Sequence, residues 1–296
     1  MSAVLRLDRI VRICRAPLVL AAFYENALGF TCSGGRALME PALAALLGVP
    51  HARGEVVNLR LGDQALDLLR IEPAGRAYPA NVPGPDALFQ HIAIEVSAFS
   101  RNLARLTSQS GWTPISNGGP QTLPPASGGV TAFKFRDPEG HPLELITPAP
   151  SEAQAAGSGI SHSAICVEAT LRSIAFYEQL GLARTGGSVN TGPEQDRLDG
   201  IHGAHVAVTA LGAPDHPTPH LELLCYGEQF VRPQSRSQPN DIAADWLVFT
   251  VGNDTQLRQL LQQLRVNSEP VRFADGSLRS LLRDPDGHWL CLESTA

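Results

Sequence analysis

The side chains best able to do chemistry in this chain are acids and imidazoles set inside short apolar runs. Glu144 stands between Leu143 and Leu145, and Glu222 stands between Leu221 and Leu223. A carboxylate well inside a sheet is costly unless it is paired or bound to a metal. In Gln90-His91-Ile92-Ala93-Ile94-Glu95-Val96, strand alternation puts His91, Ala93 and Glu95 on one face and the aliphatic residues on the other. The aliphatic face suits packing on a helix, which leaves His91 facing a pocket. Imidazoles and carboxylates together serve divalent cations or proton transfer. Other chemistries lack their patterns: there is no GxSxG, no GxxxxGK(S/T) and no CxxC.

The elements that position these groups follow from composition and repetition. The chain has 296 residues, 43% of them apolar and 18% charged, so a sizeable core forms and wholesale disorder is excluded. A net charge of −6 argues against nucleic-acid or polybasic membrane-surface binding, which need positive excess. With 27 Gly and 23 Pro, the elements should be short and many. Cys14, Cys32, Cys166, Cys225 and Cys291 are odd in number and widely spaced, which fits a reducing compartment rather than a disulfide scaffold. Charge comes too early at Arg6 and Asp8 for a signal peptide. No apolar run approaches the roughly 20 residues of a membrane span. The expectation is a soluble cytoplasmic protein that binds a small molecule, as a monomer or a homodimer.

The chain repeats itself. Ala22-Phe23-Tyr24-Glu25-Asn26-Ala27-Leu28-Gly29-Phe30 returns as Ala175-Phe176-Tyr177-Glu178-Gln179-Leu180-Gly181-Leu182, with one residue deleted. Arg136-Asp137-Pro138-Glu139-Gly140-His141 returns as Arg283-Asp284-Pro285-Asp286-Gly287-His288. These pairs define halves 1–150 and 157–296, joined by a Pro- and small-residue-rich linker over 148–159. Each half divides again, at Pro-rich connectors, into modules 1–72, 86–150, 157–226 and 242–296. Each module reads as a strand, an amphipathic helix and about three strands. In the fourth, Leu257, Leu260, Leu261 and Leu264 mark one helix face after a cap at Asn253 or Asp254. The fold class is α+β: four βαβββ modules pairing into two curved mixed sheets with helices outside and cups inside.

The fourfold pattern, the repeated FYE helix and the DPxGH turn-strand resemble the vicinal oxygen chelate superfamily of glyoxalases, bleomycin resistance proteins and extradiol dioxygenases. In that family, metal ligands come from the first and last strands of a module. Carried over, the first-strand positions are Arg9, His91, His162 and Trp246, and the last-strand positions are Asp67, Glu144, Glu222 and Cys291. Only the two central modules keep ligand residue types at both places. The resemblance therefore implies His91, Glu144, His162 and Glu222 as ligands of a divalent ion (Ni, Co, Zn, Mn or Fe(II)), with Glu144 or Glu222 as base. The implied reaction is that of a lyase or isomerase acting on a small oxygenated substrate through a metal-stabilised enediolate. Alternatives are an Fe(II) extradiol dioxygenase, or a binding protein without chemistry.

Two pairings are open. If each half closes on itself, each cup holds a half-destroyed site. If the central modules pair, one cup holds all four candidates and the other is blind, with Arg9 and Asp67 as a salt bridge and Cys291 an inert core thiol. Fused single-chain members of the family show the second arrangement, which is the one favoured here. A site assembled across a dimer is a further possibility. His141 and His288 recur even in the module without ligands, so a structural turn role is expected of both. The Gly/Pro segment 118–129 reads as a substrate lid or plain loop, and 190–196 as a second rim loop.

Overall fold

The structure, a computed structural model, describes residues 4–33, 37–39, 41–149, 159–233 and 235–295. Most of the linker, residues 150–158, lies outside the described residues. Each module carries the expected order of elements. The first has β1 (Val4–Ile13), α1 (Pro17–Phe23) running into a π-helical turn over Tyr24–Leu28, β2 (Thr31–Cys32), β3 (Ala37–Met39), α2 (Ala42–Leu47), β4 (Arg53–Leu61) and β5 (Gln64–Glu72). The second has β6 (Gln90–Glu95), α3 (Phe99–Thr107), β7 (Thr113–Pro114), β8 (Gln121–Thr122), β9 (Thr131–Arg136) and β10 (Pro142–Thr147). The third has β11 (Gly159–Cys166), α4 (Thr170–Leu180), β12 (Ala183–Thr191), α5 (Pro193–Asp199), β13 (His205–Ala213) and β14 (His216–Cys225). The fourth has β15 (Trp246–Val251), α6 (Asp254–Gln263), β16 (Val271–Arg272), β17 (Leu278–Arg283) and β18 (Trp289–Ser294).

The modules pair across the halves. One sheet runs β16-β17-β18-β15-β1-β5-β4-β2 with β3 on β4, and so unites modules one and four. The other runs β12-β13-β14-β11-β6-β10-β9-β7 with β8 on β9, and unites modules two and three. In both, two first strands meet antiparallel at the centre, β1 on β15 and β6 on β11. Each sheet therefore draws on both halves of the sequence.

Strand alternation separates the two faces. Ile92, Ile94, Leu143, Leu145, Leu221 and Leu223 turn to the helix side and join an apolar core that also takes in Ile10, Leu66, Leu247, Leu290, Tyr24 and Tyr177. The residues between them face the cups. In α6, Leu257, Leu260 and Leu261 are buried, and the Asn253 side chain accepts from Gln256 N, so Asn253 is the cap. Segment 190–196 differs from the loop reading. Pro193, at the first helical position after Gly192, starts α5, because its fixed φ suits that place and its missing N–H would be unpaired there. Among the described residues no helix is long and apolar enough to cross a membrane.

The repeated histidines stay in the turns. His141 places Nδ1 2.9 Å from Asp137 and Nε2 3.0 and 3.1 Å from the carbonyls of Ile13 and Ile242. His288 Nε2 donates to the Cys166 carbonyl at 2.8 Å. Both tie a turn to the end of another module's first strand.

Candidate metal centre

Register sets the four predicted residues in one continuous cluster, with His162 at its middle. In the central sheet, β10 lies beside β6 with Glu144 opposite Ala93, and β14 lies beside β11 with Glu222 opposite Ala164. Across the seam, Ala164 pairs with His91 and Ala93 with His162, after a register irregularity between Ile160 and His162. Each acid is thus two places along from the histidine of its own module. His91 Nε2 lies 3.2 Å from Glu144 Oε2, and His162 Nε2 lies 3.7 Å from the same oxygen and 3.4 Å from Glu222 Oε2. His91, Glu144 and His162 are buried, while Glu222 is half-buried. They face a cavity of about 330 Å³. The lid segment lines it through Leu123, Ala126, Ser127 and Gly128, and the rim segment through Asn190 and Gln195.

Two residues at this site escaped the sequence reading. His220 lies opposite His162 on β14, with its Nε2 3.4 Å from Glu222 Oε1. At equivalent register stand Ala65 beside Arg9 and Trp289 beside Trp246, so the repeat gave no sign of it. The available signal was its alternation with Glu222. Lys134 lies opposite Glu144 on β9 and lines the cavity. Its Nζ donates to Asp199 Oδ1 at 2.7 Å, and Asp199 Oδ2 also accepts from Gln195 Nε2 and the Tyr226 hydroxyl. The signal for Lys134 was plain: it is the only lysine in the chain, set between Phe133 and Phe135.

Electrostatics divide the roles. Burial works to raise the Glu144 carboxyl, but Lys134 and the two histidines more than offset it and hold it well below the usual carboxylate range. Glu222 is raised by burial yet held down to about 2 by His162 and His220. Burial lowers His91 below its ordinary value despite Glu144, which keeps its imidazole neutral. His162 is opposed by burial but raised on balance by Glu222 and Glu144.

The donor set fits a divalent cation. His162 Nε2 is buried and faces two carboxylates beyond hydrogen-bond geometry, without a partner. Among the described residues, the groupings of three or more ligand-type atoms within 4.8 Å of one another are His91–Glu144–His162 and His162–His220–Glu222, both in this cup. Two imidazoles and two carboxylates are a borderline N/O set of the kind that such ions bind.

In the other cup, of about 490 Å³, the acids are taken up in ion pairs. Arg9 donates to Asp67 at 2.9 Å, Asp8 at 3.0 Å and Glu293 at 2.6 Å, and Asn58 takes the second oxygen of Asp67 at 2.6 Å. The expected Arg9–Asp67 bridge is present. Trp246 and Cys291 are buried there, and burial pushes the Cys291 thiol up to about 12.

This fold and cup define a glyoxalase-like protein. Residues 159–292 match the model of the Glyoxalase/Bleomycin resistance protein/Dioxygenase superfamily. That match spans a little under half of the chain, and the whole chain carries the glyoxalase fold. Glyoxalase I from Zea mays superposes with a TM-score of 0.60 at 16% identity, covering 98% of this chain and 92% of that one. A Bacillus subtilis protein provisionally named a dioxygenase superposes with a TM-score of 0.58 at 12% identity, covering 99% and 86%. At such identities the likeness is one of fold alone. No curated protein matches the sequence.

Proposed function

We propose that this protein is a metal-dependent lyase or isomerase of the glyoxalase type, acting on a small oxygenated substrate in the cup of modules two and three. The observation that carries this reading is a chain of close approaches from four strands, His91 to Glu144 at 3.2 Å, Glu144 to His162 at 3.7 Å and His162 to Glu222 at 3.4 Å. These four would hold the ion, which when bound supplies a Lewis acid for charge on a substrate oxygen. Glu144 is enclosed by both histidines and serves to hold. Glu222 is the more exposed carboxylate and has His220 beside it, so it is the group placed to take a proton from carbon and pass it to His220. Leu123, Val130 and Leu224 give part of the cup an apolar lining.

Metal analysis of the purified protein tests the reading. Stoichiometric metal in the wild type and its loss in His91→Ala and His162→Ala are expected, and retention in both variants would sink it. A second reading rests on the buried trio His91, Glu144 and His162, a two-histidine, one-carboxylate set suited to Fe(II) and oxygen. Iron in the purified protein, with oxygen uptake on addition of catechols, would establish that alternative in place of the first.

A further inference from the structure

Lys134 has more donors than partners. An ammonium carries three N–H groups. Among the described residues its only hydrogen-bond partner is Asp199, although it is 5% exposed and lines the cup. Polar groups so deeply buried are normally satisfied. Apart from the histidines, every other basic side chain in the protein is arginine. Arginine offers a broad planar fork, whereas lysine offers a compact point charge that fits beside a second ligand in a small cavity. Asp199 is itself held by Gln195 and Tyr226, so the ammonium is anchored on one side while the Lys134 side chain lines the cup.

We infer that Lys134 is the anion-recognition point of the cup, and that the site takes small 2-oxo or 2-hydroxy carboxylates. The carboxylate rests on Lys134 while the neighbouring oxygens face the four candidate ligands. The inference rests on the proposal that this cup is the reaction site. The cavity, of about 330 Å³, suits a molecule of this size. Three carboxylates act on one ammonium, Asp199 in contact and Glu144 and Glu222 through longer-range charge, so a divalent cation brings the cup to neutrality and an anionic ligand meets no net repulsion.

Because the chain has one lysine, lysine-selective ¹⁵N labelling of the full-length, zinc-treated protein gives a single side-chain resonance, that of Lys134. Pyruvate should shift it and bind at least tenfold more tightly than the neutral isostere pyruvamide. Calorimetry on Lys134→Met should show pyruvate binding weakened about ten- to a hundredfold, as loss of a charge-assisted bond predicts. Pyruvamide binding and zinc content should stay unchanged. Lys134→Met combined with Asp199→Asn removes both charges, guards against misfolding and should give the same result. Equal binding of the two probes, no response to pyruvate, or a carboxylate preference surviving in the folded double variant would overturn the inference. If zinc is not retained but the Lys134-dependent preference persists, the metal reading fails and this one stands.

Discussion

The Tyr177 hydroxyl donates to Asp284 Oδ2 at 3.0 Å, joining the helix of the third module to the turn of the fourth. Tyr24 makes the same bond to Asp137 at 3.0 Å, between the first and second modules. The two motifs that repeat in the sequence are thus partners in space. Successive modules are linked through these pairs, although they belong to different sheets. Both tyrosines are fully buried; Asp137 Oδ2 also accepts from His141, whereas among the described residues Asp284 Oδ2 accepts from Tyr177 alone. Tyr177→Phe should cost about 1–3 kcal/mol in urea unfolding, the penalty of leaving a buried acceptor short of a donor.

Tyr24 does more than Tyr177, because it also accepts from Arg12. Arg12 is completely buried and donates twice to Asp245, at 2.9 and 2.7 Å, with Asp137 3.6 Å away. The equivalent place in the third module, Ile165, is apolar. Arg12→Met leaves Asp245 buried without its cation and should cost about 3–5 kcal/mol. Adding Asp245→Asn should recover part of that loss. A full-sized loss in the double variant would show that the packing of Arg12, rather than its charge, is what counts.

The pH response of stability follows from His141. Both of its ring nitrogens face acceptors, which requires an imidazolium. Burial opposes that charge, but Asp137 raises the group above its ordinary value on balance. A raised folded-state value means that the stabilisation is fully present below the unfolded value of about 6.5 and is lost as pH rises through the folded one. The difference in unfolding free energy between wild type and His141→Gln should therefore shrink as pH rises from 6 towards 9. A constant difference would contradict the assignment.

Bound metal should stabilise the protein. At a free concentration a hundred times its dissociation constant, a ligand specific to the native state adds about 2.7 kcal/mol. Chelator should accordingly lower the thermal midpoint of the wild type and of Arg9→Ala, whose change lies in the other cup. It should leave His91→Ala unmoved. Equal chelator sensitivity in all three would place the metal elsewhere.

Glu144 and Glu222 should part company. Glu144→Gln should lose the ion, because that carboxylate lies against both histidines. Glu222→Gln should keep most of it yet fail to exchange the carbon-bound proton of an α-hydroxy carbonyl compound with deuterated solvent, read by proton NMR. Exchange at the wild-type rate in Glu222→Gln would remove Glu222 as the base.

The sequence by itself determined the module, its fourfold repetition and the alternation that sends Ile92, Leu145 and Leu223 to helices and His91, Glu144 and Glu222 to a cup. These are local properties, because the period of a strand and the caps of a helix are written in adjacent residues. It also made His91 and His162 equivalent, since both open a module. Which modules share a cup was decided only by tertiary structure. Both pairings bury the same apolar faces, so the pattern of residues left them open, and only the packed chain joins β6 to β11 and β1 to β15. His220 and Lys134 were settled at the same level. His220 meets His162 across the β11–β14 pair, and Lys134 meets Glu144 across the β9–β10 pair and Asp199 from α5, and no spacing along the chain encodes those meetings. The other cup makes the same point: Arg9 and Asp67 are unremarkable in sequence, and folding brings them together with Glu293 in a cluster of ion pairs.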